Sequence, residues 1–413
     1  MIKAEIVAHS ISPQGEQLFS VLATFPRIIL AEVNTHRMLS KNTASSRAIP
    51  FKKMVQSVKD NPFIPLAWQK DHPGMQGTEY LDPNTECSLV EFIATLYDTL
   101  NTYAKDSKEY EAFAIKIRER VELVETLLIA YKHKVKSIIG WWLFARDKVV
   151  EAATLLYVLN VTKQLCNRLL ETFMWTTMLI TGPLEQGWDN FFNLRCPNYQ
   201  HQNGKIFKSW KDLVKDAFNT GGSRDWVDGL ENYSTIDRLK SNKGAAEIHM
   251  MALAECIWDA FNKSTPKQLK AGEWHIPFGD KITDDIIKPF LFQNHETSSE
   301  KDEIKVKVST AMGARTSYTI IGEEKDINIE TLINLDNRLV NQNPPHSSPM
   351  EHCSRCMTEI ERHQFVKGEI KATSKVEIDS ITLHANGTHS AFGWCRNFRG
   401  FIPYRHIIET NNG

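Results

Sequence analysis

The strongest constraint on the fold is a change of hydrophobic periodicity near residue 88. Residues 3–33 predict two strands, because KAEIVAHS alternates and LFSVLATF is followed, after Pro26, by a further apolar run, IIL. From Ser88 to about Leu179 the apolar residues recur at helical spacing instead, with hardly any glycine or proline. Strands followed by a long helical block predict a mixed α/β (α+β) protein.

The middle of the chain contains an insertion, a second helical stretch and a linker. Asn, Gly, Ser and Lys are frequent over 197–243, which predicts a surface insertion. Helical spacing resumes over 245–261. The polar stretch 293–302, which contains QNHETSSEKD, is the best candidate for a linker.

The segment after this linker mixes strand and helix patterns. Alternation predicts strands at 304–311 (IKVKVSTA) and 376–385 (VEIDSITLHA). Between them, ETLINLDNRLV at 330–340 has helical spacing.

Length and charge limit the classes of function. With 413 residues, the chain exceeds the roughly 150 of a typical domain, so two domains or one enlarged domain are expected. The 49 Lys and Arg residues against 50 Asp and Glu residues leave a net charge of −1, so nucleic-acid binding is not expected. Seven cysteines without framework spacing are typical of reduced thiols. No apolar stretch approaches the ~18 residues that span a bilayer, and we expect a cytoplasmic protein without a membrane partner.

Glycine-rich phosphate loops are missing from the sequence, which contains no Gly-x-Gly-x-x-Gly, P-loop or Gly-x-Ser-x-Gly motif. Any nucleotide site must therefore be built from side chains. The richest candidate is THRMLSKNTASSR at 35–47, with two arginines, a lysine, a histidine and several hydroxyls directly after a strand. Such side chains can bind a phosphate and the edge of a polar ring. A solvated basic loop is an equally good interpretation of this composition.

Four other clusters are weaker candidates for ligand binding, because each also has a simple structural explanation. The aromatics in NFFNLR (190–195) could stack on a flat ring, but such aromatics are more often core. In PPHSSPMEH (344–352) a carboxylate lies between two histidines, and the prolines more often only fix the shape of a loop. RNFRG (396–400) could be a basic surface turn. Cys353 and Cys356 lack the second pair that a structural zinc site needs, so two half-buried strand cysteines are expected.

Together these clusters resemble the flavin-dependent thymidylate synthases. The pattern His36-Arg37-x-x-Ser40-x-Asn42-x-x-Ser45-x-Arg47 is similar to the signature of that family, and six fixed positions in twelve make the match specific. WDNFFNLR at 188–195 resembles the family's Asn-Phe-x-x-Leu-Arg element. Ala246-Glu247-Ile248 resembles the family's Ala-Gln-x-Glu-Ile helix, which in ordinary members follows the Asn-Phe-x-x-Leu-Arg element within a few residues. Here it follows after about fifty residues, so the resemblance identifies residues 197–243 as an insertion. Arg168 resembles the arginine of an Arg-x-x-x-Pro element, with Thr172 in place of the proline.

The order of two further elements suggests a circular permutation. Residues 314–318 (ARTSY) and 346–352 (HSSPMEH) resemble elements that precede the signature in ordinary members, whereas here they follow it by some 300 residues. The arrangement is similar to phage-encoded members. The resemblance therefore implies a circularly permuted fold of this family, with an antiparallel-rich sheet, a long helical block (88–179) and helical insertions. Residues 1–292 would form the core, and 303–413 would complete the same catalytic domain.

The resemblance implies reductive methylation of dUMP to dTMP, with methylenetetrahydrofolate as carbon donor, FAD as hydride carrier and NADPH as reductant. The nucleotide would be held by Arg37, Ser45 and Arg47, and Arg195 would stabilise charge on the uracil edge, so Arg37, Ser45 and Arg195 are the expected catalytic residues. Arg168 would bridge flavin and nucleotide. The remaining FAD contacts would be His36, Arg37, Asn42, Asn190, Ser317, Ser348 and Glu351. The family's fold implies a homotetramer with shared active sites.

Some positions depart from the family's pattern and leave alternatives open. Thr35 replaces the first arginine of the signature, Thr43 replaces an acidic residue, and 176–178 lack the Asn and Arg that contact flavin in ordinary members. One alternative is flavin- and folate-dependent hydroxymethylation or methylation of another pyrimidine nucleotide (dUMP/dCMP). Another is a non-catalytic nucleotide-binding phage protein.

Overall fold

The computed structural model describes residues 2–71, 77, 79–84, 97–105, 107–131, 137–220, 234–242, 244–291, 297–318, 328–365 and 392–411. The strands are β1 (Lys3–Ile11), β2 (Gln17–Pro26), β3 (Ser40–Thr43), β4 (Trp68–Gln69), β5 (Tyr80–Leu81), β6 (Trp175–Pro183), β7 (Tyr199–Gln200), β8 (Ile206–Phe207), β9 (Lys267–Gln268), β10 (Trp274–His275), β11 (Ser354–Cys356), β12 (Trp394–Cys395), β13 (Phe398–Arg399) and β14 (Phe401–Pro403). The predicted strand at 376–385 lies outside the described residues.

The helices are α1 (Leu30–Asn34), α2 (Phe51–Asp60), α3 (Lys108–Tyr131), α4 (Ile138–Val158), α5 (Lys163–Leu169), α6 (Asp189–Arg195), α7 (Trp210–Asn219), α8 (Thr235–Ser241), α9 (Ile248–Lys263), α10 (Asp284–Ile287), α11 (Ser298–Arg315), α12 (Ile329–Val340), α13 (Glu359–Gln364) and α14 (Tyr404–Asn411). Short 3₁₀ turns include Thr316–Tyr318 and Ser348–Glu351. Within the part of the chain that the structure describes, no helix is long and apolar enough to cross a membrane.

The main sheet has five strands in the order β3-β6-β2-β1-β9. All its pairings are antiparallel except the short parallel pair β1–β9. A three-stranded sheet, β10-β11-β14, lies near the C-terminus. The expected mixed α+β class with an antiparallel-rich sheet is therefore confirmed.

The prediction of a helical block over 88–179 is wrong at the C-terminal end of that range. The last five residues of the block, Trp175 to Leu179, form the first half of β6 rather than helix. Because β6 lies between β2 and β3 and is covered on both faces, its run of buried residues lacks the alternation of an exposed strand. The apolar run after Pro26 is also not a strand: Arg27–Ile29 form a 3₁₀ turn that leads into α1.

The segment predicted as the strand IKVKVSTA belongs to helix α11. Ile304 and Val308 pack in one apolar cluster with α12, whereas Val306 and Ala314 pack in another with Met350. A helix buried on two sides shows apolar residues two apart, which imitates strand alternation. The predicted linker is also partly helical, because α11 begins at Ser298 and the Thr297 hydroxyl caps it.

Residues 197–243, predicted as a surface insertion, pack on the core through the part that the structure describes. Trp210 and Leu213 of α7 and Leu239 of α8 are buried in the largest apolar cluster, together with α9. The Glu255 carboxylate accepts hydrogen bonds from Tyr199 Oη at 2.9 Å and from the Trp210 backbone N–H at 2.8 Å. The helices predicted at 245–261 and 330–340 are confirmed as α9 and α12.

Candidate functional site

Strand β3 is the meeting point of segments that are distant in the chain. It pairs with β6 on one side only, with Ser40 opposite Thr181 and Asn42 opposite Leu179. On its other side lie the C-terminal end of α11 and the turns 316–318 and 348–351. The backbone N–H of Ser45 donates to the carbonyl of Ser317 at 2.7 Å. Residues 35–47, which we call the signature segment after the motif they resemble, and residues 303–413, which we call the C-terminal segment, therefore share one surface.

The side chain of Asn42 connects these segments. It is buried, and its Nδ2 donates to the carbonyl of Gly313 and to Thr316 Oγ1, the latter at 3.0 Å. The hydroxyls of Ser317 and Ser348 each lie 3.4 Å from Asn42 Oδ1, and Ser348 Oγ also lies 3.1 Å from the carbonyl of Lys41. Three of the predicted cofactor contacts are thus brought together, and the Asn42 amide is itself used in protein contacts.

Arg195 and His36 form a second pair beside β3. Arg195, the last residue of α6, donates from Nε to His36 Nε2 at 3.0 Å and from Nη2 to Thr35 Oγ1 at 3.2 Å. The His36 ring packs edge-on against Phe191 of the same helix, with centroids 4.9 Å apart. Burial, followed by the charges of Arg195 and Lys41, lowers the pKa of His36 to about 4. His36 is therefore neutral near pH 7, and its Nε2 accepts while Nδ1 holds the proton.

Lys41 and Glu351 place one positive and one negative charge beside this pair. Only Glu351 was among the individually predicted site residues. Burial lowers the pKa of Lys41 to about 8, against the opposing attraction of the Glu351 carboxylate, and its Nζ donates to the carbonyl of His36. Glu351 forms an ion pair with Arg405 of α14. The sequence analysis placed Lys41 and Thr35 in the candidate segment 35–47 but gave neither of them, nor Arg405, an individual role in the site. Lys41 lies inside the signature, between the fixed positions Ser40 and Asn42, and this position was the available signal.

Three predicted arginines are exposed. Arg37, Arg47 and Arg168 make no side-chain hydrogen bond or ion pair with any residue in the described ranges. Helix α5, which carries Arg168, is held against the signature segment because Asn167 Nδ2 donates to the carbonyls of Ser46 at 2.7 Å and Ile49 at 2.9 Å. The backbones that carry Arg47 and Arg168 are therefore adjacent, and both guanidinium groups can bind an external anion.

Asn190 is not joined to this cluster. It is exposed in the first turn of α6, and no side chain of the described ranges hydrogen-bonds to its amide. Cys353 and Cys356, predicted as half-buried strand cysteines, are both fully buried. Cys356 lies in β11, whereas Cys353 precedes that strand and packs with Val306 and Met350. No group of three or more potential metal ligands occurs among residues with described positions.

A cavity of about 660 Å³ lies at the opposite edge of the main sheet, and we name it the β1 cavity. Its wall includes His9, Ser10, Lys267, Asp302 and Lys305. None of the predicted site residues lines it, so the β1 cavity is separate from the surface around β3. Comparison with known proteins finds no family model and no curated protein that matches the chain.

Proposed function

We propose that the chain is a flavin-dependent thymidylate synthase-like enzyme that methylates dUMP reductively to dTMP, with methylenetetrahydrofolate as carbon donor. The observation that carries this proposal is the contact of Asn42 with Ser317 and Ser348, which are 275 and 306 positions away. Both serines belong to segments that resemble motifs found before the signature in ordinary members. In a circularly permuted chain, those segments would still pack against the signature segment although they follow it in sequence. Their contact at β3 supports such a permutation.

The exposed arginines support binding of a nucleotide phosphate. Arg37, Arg47 and Arg168 have no partner within the described ranges, and a guanidinium group can donate two parallel hydrogen bonds to a phosphate. Ser45 would add a hydroxyl donor beside them. In a chain of net charge −1, the closeness of the backbones that carry Arg47 and Arg168 supports recognition of one anionic ligand.

Arg195 would act on the pyrimidine ring. Two of its nitrogens are held by His36 and Thr35, which fixes the plane of the guanidinium group. The third nitrogen, Nη1, has no partner in the described part of the chain. A fixed donor of this kind stabilises negative charge that develops on a uracil carbonyl during carbon transfer, without reorganisation.

The donor set also suits a flavin nucleotide. The exposed guanidinium groups of Arg37 and Arg168 can each bind a phosphate group, and the neutral His36 ring and the hydroxyls of Ser317 and Ser348 can contact the edge of a ring. FAD, when bound, would supply the hydride, with NADPH as its reductant. Asn42 would contribute by holding the two serines in place, since its amide already bonds the C-terminal segment. Asn190 and Glu351 have weaker support, because one is isolated and the other is paired with Arg405.

A homotetramer with shared sites forms part of the proposal. Large aliphatic side chains are exposed along α4 and α5, around Arg168; they are Leu155, Val158, Leu159, Leu165 and Leu169. Exposed aliphatic clusters of this kind are typical of subunit contacts. A partner on this face would cover the neighbourhood of Arg168, so the arginine would lie at the boundary between two subunits.

Ligand binding to the full chain tests this proposal. We expect FAD and dUMP each to raise the melting temperature, and Arg195→Ala to weaken dUMP binding at least tenfold by calorimetric titration. Arg238→Ala is the matched control, because Arg238 is also half-buried and also bonds a threonine hydroxyl. Tighter binding of dCMP than dUMP would favour the alternative substrate. No stabilisation by FAD together with equal dUMP affinity in all three proteins would refute the proposal.

A further inference from the structure

Five buried polar side chains form one continuous hydrogen-bonded path through the main sheet. Ser10 Oγ lies 2.9 Å from His275 Nδ1, and His275 Nε2 lies 2.8 Å from Ser20 Oγ. Ser20 Oγ lies 2.6 Å from Thr181 Oγ1, which lies 2.9 Å from His352 Nδ1. All five residues are at most 4% exposed. Protein groups therefore supply every link of this path, which we name the Ser10–His352 path.

The fold places these residues by strand register. Ser10, Ser20 and Thr181 lie on the adjacent strands β1, β2 and β6, and Ser20 and Thr181 are direct cross-strand partners. His275 enters from β10, and His352 lies just before β11. Side chains from two sheets thus meet inside the core. A polar path at this depth is costly unless every group is hydrogen-bonded.

The two ends of the path differ. Ser10 lines the β1 cavity, whose wall also carries Lys267, Asp302 and Lys305. At the other end, His352 Nε2 is buried and has no hydrogen-bond partner in the described part of the chain. His352 directly follows the turn 348–351 that contacts β3. The path therefore leads from a polar cavity toward the proposed active-site surface.

Hydrogen counting allows two fully bonded arrangements of the path. Each hydroxyl and each neutral imidazole has one proton, and each can donate on one side while accepting on the other. In the first arrangement both histidines are protonated on Nδ1, every link donates toward Ser10, and Ser10 donates into the β1 cavity. In the second, both are protonated on Nε2 and every link donates toward His352. A path with the two histidines in different tautomers leaves one hydroxyl proton unbonded or one link without a proton.

We propose that the Ser10–His352 path transfers protons between water in the β1 cavity and Nε2 of His352. In one direction, water protonates Ser10, each group passes its own proton to the next, and His352 releases the Nε2 proton to a basic oxygen or nitrogen of a ligand or water. The reverse transfer takes a proton at Nε2 and releases one to the cavity. One proton enters and one leaves, so no member of the path changes charge.

The electrostatics of the two histidines suit this role. Burial lowers the pKa of His275 and of His352 to about 3 in each case, so both rings stay neutral at ordinary pH. A neutral imidazole can accept a proton on one nitrogen as it gives up the proton on the other, whereas a charged imidazolium has no free lone pair. This inference does not depend on the proposed reaction.

Histidine tautomers in the full chain, labelled with ¹⁵N-histidine, test the path without any substrate. Long-range ¹H–¹⁵N correlation spectra distinguish Nδ1–H from Nε2–H in each ring, and Ser10→Ala and Thr181→Val identify the signals of His275 and His352. We expect both rings to be neutral and to have the same tautomer. Opposite tautomers in the two rings would overturn the proposal.

Exchange of the ring protons with D₂O adds a test of direction. If protons arrive from the cavity, Ser10→Ala slows exchange at both histidines at least tenfold, while Thr181→Val slows it only at His352. Thr181→Ser retains the hydroxyl and should restore the rate at His352. Thr177→Val is the control, because it removes a threonine hydrogen bond, to Thr24 Oγ1, from the same strand outside the path. An unchanged rate at His352 in Thr181→Val would overturn the proposal.

Discussion

Replacing Asn42 by alanine should release the C-terminal segment from β3. The substitution removes the two hydrogen bonds donated by Nδ2 to Gly313 and Thr316 and leaves a void among buried neighbours. At about 1 kcal/mol for each hydrogen bond, and with a smaller cavity contribution, the loss is roughly 2–3 kcal/mol. The two longer contacts with serine hydroxyls add little to this sum.

Hydrogen–deuterium exchange measured by mass spectrometry gives a local readout of this loss. The Ser45 amide donates across the interface to Ser317, so its exchange reports separation of the two segments. A loss of 2–3 kcal/mol corresponds to exchange about 30–150 times faster in peptides that contain Ser45. Asn337→Ala, at an exposed site on α12, should change stability by less than about 0.5 kcal/mol. Equal exchange in the two variants would refute the connecting role of Asn42.

Three further predictions concern other parts of the chain. Burial raises the pKa of Asp336 to about 7, so the folded state loses stability as pH rises from about 4 to 7. In urea unfolding at pH 8, Asp336→Asn should therefore be more stable than wild type by roughly 2–4 kcal/mol. A gain in stability that persists at pH 4 would contradict this reasoning. Leu159→Glu should reduce the mass of the assembly in light scattering, whereas Ile360→Glu, at an exposed site on α13, should not. Burial raises the pKa of Cys353 and Cys395 to about 12, so mapping after iodoacetamide treatment of folded protein should find both unmodified, and rapid alkylation of either would count against their burial.

Local patterns predicted elements whose burial is one-sided. Strand β1 and helix α12 each bury one main face or stripe, and the apolar period of each in the sequence matches the element observed. The same rule failed for α11 and β6, which are covered on two sides. Their neighbours come from distant parts of the chain, so a local window holds no information about the second face.

The candidate site was predictable as a set of segments, but its internal contacts were not. Similarity to family motifs indicated His36, Asn42, Ser317 and Ser348. Asn42 contacts both serines, and His36 contacts Arg195 beside β3. The sequence could not show that Asn42 bonds protein groups or that Arg405 pairs with Glu351, since both depend on side-chain orientation. The buried path to His352 was equally hidden, because its other four members are ordinary strand residues from distant parts of the chain.

Tritium release from 5-tritiated dUMP tests the central proposal most directly. With FAD, NADPH and methylenetetrahydrofolate, the full chain should release tritium to water and form a product with the mass of dTMP, and Arg195→Ala should lower the rate at least a hundredfold. Release of tritium with a hydroxymethylated product would instead indicate the alternative reaction. Protein that binds FAD and dUMP but releases no tritium would contradict the proposed thymidylate synthase activity.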